Sequence, residues 1–136
     1  MTIYVFGNPD LKFDSLPIQI LPKLQKKFPN INFKIKDPNE EWDFSEKYLC
    51  IIDTVIGIKK VAVFNDISVF KKSPRFSMHD FDLYADLLLM KKIKKLPNCA
   101  IIGVPPEYDA KKAYNEIANK IFKLTHELKY EIAEPI

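Results

Sequence analysis

Glycine is scarce in this chain of 136 residues, which contains only three. Gly7-Asn8 follows an apolar segment, as the start of a phosphate-binding turn would, but no G-x-G-x-x-G or Walker pattern follows it. We therefore expect no nucleotide-binding site. No serine lies in a G-x-S-x-G motif, and neither cysteine has a histidine at an informative spacing, so the sequence offers no support for a nucleophilic hydrolase.

Cysteine is scarce as well, since only Cys50 and Cys99 are present. Each lies among β-branched or small apolar residues, which predicts two buried free thiols in a reducing compartment and no disulfide. No apolar run approaches 18 residues, and the sequence opens with a strand instead of a basic segment followed by an apolar one. We therefore predict no membrane span, no signal peptide and a cytoplasmic location.

A strong excess of charge is also missing, because the formal net charge is only +3. The lysine pairs are spread over several predicted elements and are not interleaved with aromatic residues that could stack on bases. This distribution is typical of solvated helix faces and argues against a nucleic-acid-binding surface.

The composition, 47% hydrophobic and 29% charged, is that of an ordinary single domain over residues 1–136. Hydrophobic periodicity predicts the element order β-α-β-β-β-α-β-α. The predicted strands cover residues 2–6, 31–35, 49–54, 61–64 and 100–104, and the predicted helices cover residues 15–28, 80–95 and 110–130.

The strand over residues 49–54 is apolar throughout and should be central in the sheet. The short link around Gly57 leaves no room for the crossover of a dozen residues that a parallel neighbour requires. The strand after Gly57 should therefore be antiparallel. We predict an α/β domain with a mixed, roughly five-stranded sheet in a three-layer α/β/α arrangement, with Ser15 as helix cap and a kink at Pro22.

Asp14, Asp53 and His79 each lie where such a fold would bring a strand end or a helix start to one edge of the sheet. Two carboxylates and an imidazole that meet there would form a plausible divalent-metal site. Three protein ligands leave a coordination position open, as in catalytic sites, but these residue types alone do not select the metal.

Each of the three residues also has a structural interpretation. Asp14 could be an acid placed near a helix N-terminus by the helix dipole, and His79 could be a capped surface histidine. Asp53 is harder to explain in this way, because a carboxylate at the end of a very apolar strand needs a charged or hydrogen-bonding partner. No short-range motif such as H-E-x-x-H decides between these interpretations.

Four sequence blocks in order resemble the hydrogenase maturation endopeptidases, which trim the C-terminus of the large subunit of nickel-iron hydrogenases. The blocks are Gly7-Asn8 followed by Phe13-Asp14, the strand I51-I-D53-T-V55, the segment S77-M-H79 before a leucine-rich helix, and the final strand I101-I-G-V-P-P106. They span nearly the whole chain. The resemblance implies the three-layer, phosphorylase/hydrolase-like α/β/α fold of that family.

The resemblance also implies that Asp14, Asp53 and His79 bind nickel. In that family the metal is understood to be already installed in the hydrogenase large-subunit precursor, so that it bridges enzyme and substrate and directs cleavage of the C-terminal extension. The motifs identify no catalytic nucleophile.

The chain departs from the family pattern around its first block and after its second strand. Phe13 replaces the first acid of a pair, and Ser15 and Pro17 replace turn glycines. Asp37 is followed by Pro38-Asn39 instead of glycines. A non-catalytic metal-binding or hydrogenase-assembly module is therefore the alternative function, and a small α/β binding domain in which all three residues are structural is a third.

Overall fold

The computed structural model of the protein describes residues 1–36, 48–65, 92 and 98–133. The strands are β1 (Thr2–Val5), β2 (Asn32–Ile35), β3 (Tyr48–Thr54), β4 (Ala62–Phe64) and β5 (Asn98–Val104). The helices are α1 (Leu16–Lys27) and α2 (Ala110–Ala133), and a short 3₁₀ turn covers Lys12–Asp14. These bounds agree with the predicted elements to within a few residues, and the predicted helix over residues 80–95 lies outside the described residues.

The five strands form one mixed sheet in the order β2-β1-β3-β5-β4. β2, β1, β3 and β5 run parallel, whereas β4 pairs antiparallel with β5. The antiparallel strand is the one that follows Gly57, which turns the chain with a φ of 92°. The predicted mixed five-stranded sheet and its antiparallel member are therefore confirmed, as is the central position of β3.

Both described helices pack against the same face of the sheet. Their core contacts come from Leu24 of α1 and from Ile117 and Ile121 of α2, all of which are fully buried. The opposite face of the central strands is buried too, since Ile51 and Ile101 are inaccessible to solvent. Burial on both faces is what the predicted three-layer α/β/α arrangement requires, because a central parallel strand is covered on both sides.

The start of α1 differs from the prediction. Ser15 has a helix-like backbone, with φ −93° and ψ −17°, and its side chain makes no capping hydrogen bond to a backbone N–H of the described residues. Its hydroxyl instead donates to the Lys12 carbonyl at 3.2 Å and accepts from Gln19 Nε2 at 2.8 Å. Ser15 does occupy the predicted N-cap position, but the expected side-chain bond is missing because the preceding 3₁₀ turn holds Ser15 out of the extended conformation that a capping residue usually adopts. The bend expected at Pro22 stays a prediction.

Cys50 and Cys99 are both buried free thiols, as predicted. Cys50 pairs with Ala100 and Cys99 pairs with Leu49, so the two sulfurs lie on opposite faces of the sheet. This register excludes a disulfide between them. Within the part of the chain that the structure describes, no helix is long and apolar enough to cross a membrane.

Candidate metal centre

The parallel strands β1 and β3 have their other neighbours on opposite sides within the sheet. After β1 the chain passes through α1 to β2 on one side, whereas β3 has β5 as its neighbour on the other side. The strand order therefore reverses between β1 and β3. In open α/β sheets the crevice at such a reversal, outside the carboxyl ends of the strands, is where ligands bind. We call this edge of the sheet the carboxyl edge.

Asp53 lies at the carboxyl edge, one residue before the end of β3. Only 1% of it is exposed, and its neighbours in the strand, Ile51 and Ile52, are fully buried. Its Oδ1 accepts a hydrogen bond from the Thr54 N–H at 2.8 Å. By the alternation of the strand, its side chain is on the face opposite α1 and α2. The predicted position of this carboxylate at a strand end is confirmed.

Asp14 closes the 3₁₀ turn that follows β1, and only 2% of it is exposed. The loop before it folds back on itself. Asn8 Oδ1 accepts from the Asp10 N–H at 2.9 Å, which is an Asx turn, and the Asp14 N–H donates to the Leu11 carbonyl at 2.9 Å. The Asp14 carbonyl then accepts from the Asn8 N–H at 3.0 Å. These bonds hold Asp14 beside the end of β1.

Backbone contacts connect the segments that carry the two aspartates. The Phe6 N–H donates to the Ile52 carbonyl at 2.9 Å, which continues the β1–β3 ladder up to the residue before Asp53. At the next residue, a Cβ added to Gly7 would lie 2.9 Å from the Asp14 carbonyl oxygen. Asp14 thus follows β1, and Asp53 lies at the end of the adjacent β3, at the same edge of the sheet, as the sequence predicted.

The third predicted ligand, His79, lies outside the described residues. Among the residues that the structure does describe, no group of three or more His, Cys, Asp or Glu side chains could hold a metal ion. The two aspartates supply oxygen ligands, which suit divalent cations, and an imidazole nitrogen would extend the range to nickel and zinc. The two described members of the predicted set of three therefore supply ligands of a type that divalent metals accept, while the metal itself and His79 remain predictions.

The packing around Gly103 explains why the last sequence block, I101-I-G-V-P-P106, has a glycine at its third position. Gly103 pairs with Asp53 across β3 and β5. A Cβ at Gly103 would lie 2.9 Å from Val55 Cγ2 and 3.0 Å from Phe64 Cε2, closer than packed atoms tolerate. The glycine therefore lets side chains pack onto the sheet directly beside the Asp53 carboxylate.

Sequence analysis did not identify Lys36 as a buried residue at this edge of the sheet. Lys36 follows β2 at the carboxyl edge, where its N–H donates to the Val5 carbonyl at 3.0 Å, and it is only 5% exposed. A lysine at the end of a half-buried strand is ordinarily interpreted as solvated. The sequence carried no signal for this burial, because Lys34, two residues earlier on the same face of β2, is exposed.

The loop after β5 reaches the same edge and is fixed to α2. The Tyr108 hydroxyl donates to both carboxylate oxygens of Glu116, at 2.9 and 2.8 Å. Burial, together with the hydrogen bond to Glu116, raises the pKa of Tyr108 above its usual 10.0. Tyr108 therefore keeps its proton at neutral pH and holds the loop in place as a donor.

Comparison with known proteins agrees with this architecture. No family model matches the chain, and no curated protein is significantly similar to it in sequence. Among solved structures, the hydrogenase maturating endopeptidase HybD from E. coli is similar, with a TM-score of 0.66 over 96% of this chain and 94% of HybD, at 16% sequence identity. This similarity supports the resemblance that the four sequence blocks indicated. The protein thus has the fold of a hydrogenase maturating endopeptidase along nearly its whole length.

Proposed function

We propose that the protein is a nickel-dependent endopeptidase that removes the C-terminal extension of a nickel-iron hydrogenase large-subunit precursor. The observation that carries this proposal is the burial of Asp14 and Asp53 at the end of two adjacent strands, where the strand order reverses. These are the positions that the family motifs assign to metal ligands, in a fold shared with HybD.

In this proposal Asp14 and Asp53 offer carboxylate oxygens, and His79 an imidazole nitrogen, to nickel carried by the precursor. The nickel is then part of the substrate, and it gives the enzyme a means to recognise a precursor that is ready for processing. Both carboxylates are shielded from water, which strengthens their attraction for a dication relative to the same groups at the surface. The enzyme residues thereby orient the precursor, and no side chain is assigned as the nucleophile.

A non-catalytic metal-binding or hydrogenase-assembly module is the second candidate. It is favoured by the start of α1, where Ser15 and Pro17 are buried in the place of the turn glycines of the family. A loop that has become a packed helix start could retain the carboxylates while losing the shape of the substrate groove.

The decisive experiment is a gel-mobility assay of cleavage on nickel-loaded and nickel-free precursor. We expect cleavage of the loaded form only. Asp53→Ala and His79→Ala should lower the rate by about 100-fold or more, because each removes a group that acts directly on the substrate charge. Asp14→Asn should also impair cleavage, since the amide keeps the size but loses the charge that a dication favours.

Asp10→Asn is the matched control for Asp14→Asn, because Asp10 lies in the same loop and is exposed. It should cleave at the wild-type rate. Circular dichroism of every variant separates loss of activity from loss of fold. Equal cleavage of both precursor forms would refute metal-directed recognition, and absence of cleavage of any cognate precursor by the wild type would favour the assembly module.

A further inference from the structure

We propose that Glu107 is a specificity-determining residue, whose carboxylate pairs with a lysine or arginine side chain on the part of the precursor that lies over the end of β5. The inference rests on the proposed function, because it assigns a further contact to the same substrate.

The backbone at Glu107 has a left-handed conformation, with a φ of 55°. The other position with a positive φ among the described residues is Gly57. A residue with a side chain is strained there, because its Cβ approaches the following carbonyl oxygen. A turn in which proline precedes the positive φ, as Pro106 precedes Glu107, normally has glycine or asparagine at this position. The local backbone therefore disfavours a glutamate.

The loop around Glu107 is held in place on its C-terminal side. The Tyr108 hydroxyl donates to the Glu116 carboxylate at 2.9 and 2.8 Å. Asp109 Oδ2 accepts from the Lys112 N–H at 2.9 Å, which caps the start of α2. The Lys112 ammonium also lies 5.4 Å from the centroid of the Tyr108 ring. These contacts keep the loop from relaxing, so the strain at Glu107 persists.

The Glu107 side chain does not contribute to this framework. It is exposed, and within the described part of the chain its carboxylate makes no hydrogen bond and no ion pair. It also does not join Asp14 and Asp53 in a group of described residues that could hold a metal ion. Its charge therefore brings the fold no contact that offsets the strained backbone. A partner outside the chain would give this carboxylate a role.

Glu107 lies at the carboxyl edge, close to the candidate metal centre. Val104, the last residue of β5, pairs with Thr54, which directly follows Asp53. Three residues separate Val104 from Glu107, and they span at most about 11 Å. A precursor whose nickel is bound at Asp53 would therefore have neighbouring residues within reach of the Glu107 carboxylate.

A carboxylate on a fixed backbone is suited to recognise a cationic side chain. An exposed ion pair adds only modestly to affinity, but it speeds association and disfavours partners of the wrong charge. Because the loop is already ordered, binding does not have to order it. Glu107 would thus help to select the precursor, separately from the metal.

Cleavage kinetics of Glu107→Gln on nickel-loaded precursor test the pairing. Glutamine keeps the size of the side chain but removes its charge. We expect KM to rise about three- to tenfold and kcat to stay within about twofold, because a binding contact is lost. The difference from the wild type should disappear at roughly 0.5 M salt, where exposed charges are screened. An unchanged KM, or a rise in KM that salt does not remove, would overturn the proposal.

Glu127→Gln is the matched control, because Glu127 is an exposed glutamate near the far end of α2 from the carboxyl edge. Its KM and kcat should equal those of the wild type at both salt concentrations. An equal rise of KM in this variant would show that only the overall charge of the protein matters, which would also overturn the proposal.

A charge exchange identifies the partner side chain. Glu107→Lys should raise KM more than Glu107→Gln does, because it places like charges opposite each other. It is then assayed on a panel of precursors in which single lysines and arginines near the cleaved bond are replaced by glutamate. One member should restore at least half of the lost kcat/KM to Glu107→Lys while being a poorer substrate for the wild type. Rescue by no member would contradict the pairing.

Stability separates this role from a structural one. Glu107→Gly should raise the urea midpoint, because relief of the left-handed strain outweighs the greater freedom of the unfolded glycine chain. It should nevertheless raise KM as Glu107→Gln does. A urea midpoint of Glu107→Gln below that of the wild type would show that the carboxylate stabilises the fold, and would overturn the proposal.

Failure of this inference is distinguishable from failure of the proposed function. Precursor cleavage with the wild-type KM in Glu107→Gln would refute the pairing and leave the endopeptidase standing. If the wild type binds the precursor without cleaving it, the same fold-changes should appear in the Kd measured by calorimetry. A wild type that neither binds nor cleaves any cognate precursor would refute both.

Discussion

Close packing explains two of the three glycines, and backbone conformation explains the third. A Cβ at Gly7 would lie 2.9 Å from the Asp14 carbonyl and 3.0 Å from Ile18 Cγ1. Gly103 is similarly enclosed beside Asp53. A Cβ at Gly57 would meet no atom of the described residues within 4 Å, but the backbone there has a φ of +92°. In a chain with so few glycines, two of them lie directly against the candidate site.

Gly7→Ala and Gly57→Ala should separate site geometry from stability. Gly7→Ala should lower the free energy of unfolding by about 1–3 kcal/mol, because the methyl group displaces the turn that carries Asp14. It should also lower nickel affinity and precursor cleavage. Gly57→Ala should cost about 1–2 kcal/mol from its left-handed backbone but leave both site properties unchanged.

Urea unfolding measures the stability of these two variants, and calorimetry with a cleavage assay measures the site. Wild-type nickel affinity in folded Gly7→Ala would show that the Asp14 turn can move without consequence for the metal. That result would remove Asp14 from the ligand set.

At the scale of the helix, α1 contains two prolines in very different positions. Pro17 lies in the first turn, where a missing N–H has no partner in the helix to lose. Pro22 lies inside the helix, so the Ile18 carbonyl lacks its usual intrahelical donor. The helix nevertheless runs unbroken through Leu16–Lys27, because its buried face, with Leu21 and Leu24, packs into the core.

Pro22→Ala should therefore stabilise the protein. An interior proline costs about 3 kcal/mol relative to alanine, and the greater freedom of the unfolded alanine chain offsets part of the gain, which leaves about 1–2 kcal/mol. Pro22 is exposed, so little packing is lost. Pro17→Ala is the comparison and should be neutral or destabilising, since Pro17 is buried. A loss of thermal stability in Pro22→Ala would mean that a bend at Pro22 is needed for packing of α1.

For the molecule as a whole, the sequence predicted those features of the sheet that depend on the local hydrophobic pattern and on the length of the connections. The apolar run ending in Asp53 indicated a central strand, and the short link after it indicated the antiparallel β4. The first follows from the continuous apolar pattern of the strand, and the second from a connection that is too short for a parallel crossover. Asp14 and Asp53 lie at one edge because β1 and β3 are parallel neighbours, as an α/β sheet predicts.

What the sequence could not predict depends on contacts between distant segments. The 3₁₀ turn before α1 was missed, because it is closed by backbone bonds that give no composition signal. Because of this turn, Ser15 occupies the N-cap position without the expected side-chain bond. The burial of Lys36 was also missed, because Lys34, on the same face of the same strand, is exposed and the local pattern gives no sign that Lys36 is buried. Tertiary context thus buries a lysine that the local pattern would leave in solvent.

The small number of protein ligands leads to an expectation about the strength of metal binding. Asp14, Asp53 and His79 provide three ligands without a thiolate, and the remaining coordination positions need groups from the precursor. The isolated protein should therefore bind nickel or zinc weakly, and His79→Ala should weaken the binding further, by about tenfold or more.

His126→Ala is the control for His79→Ala, because it removes the other histidine of the chain, which is exposed on α2. Titration calorimetry of wild type and both variants decides the matter, since only His79→Ala should change the heat of binding. Tight, stoichiometric binding that survives His79→Ala would place the metal elsewhere. Weak binding that disappears in His126→Ala instead would assign it to an adventitious surface histidine, and in that case Asp14 and Asp53 would need a different ligand to explain their burial.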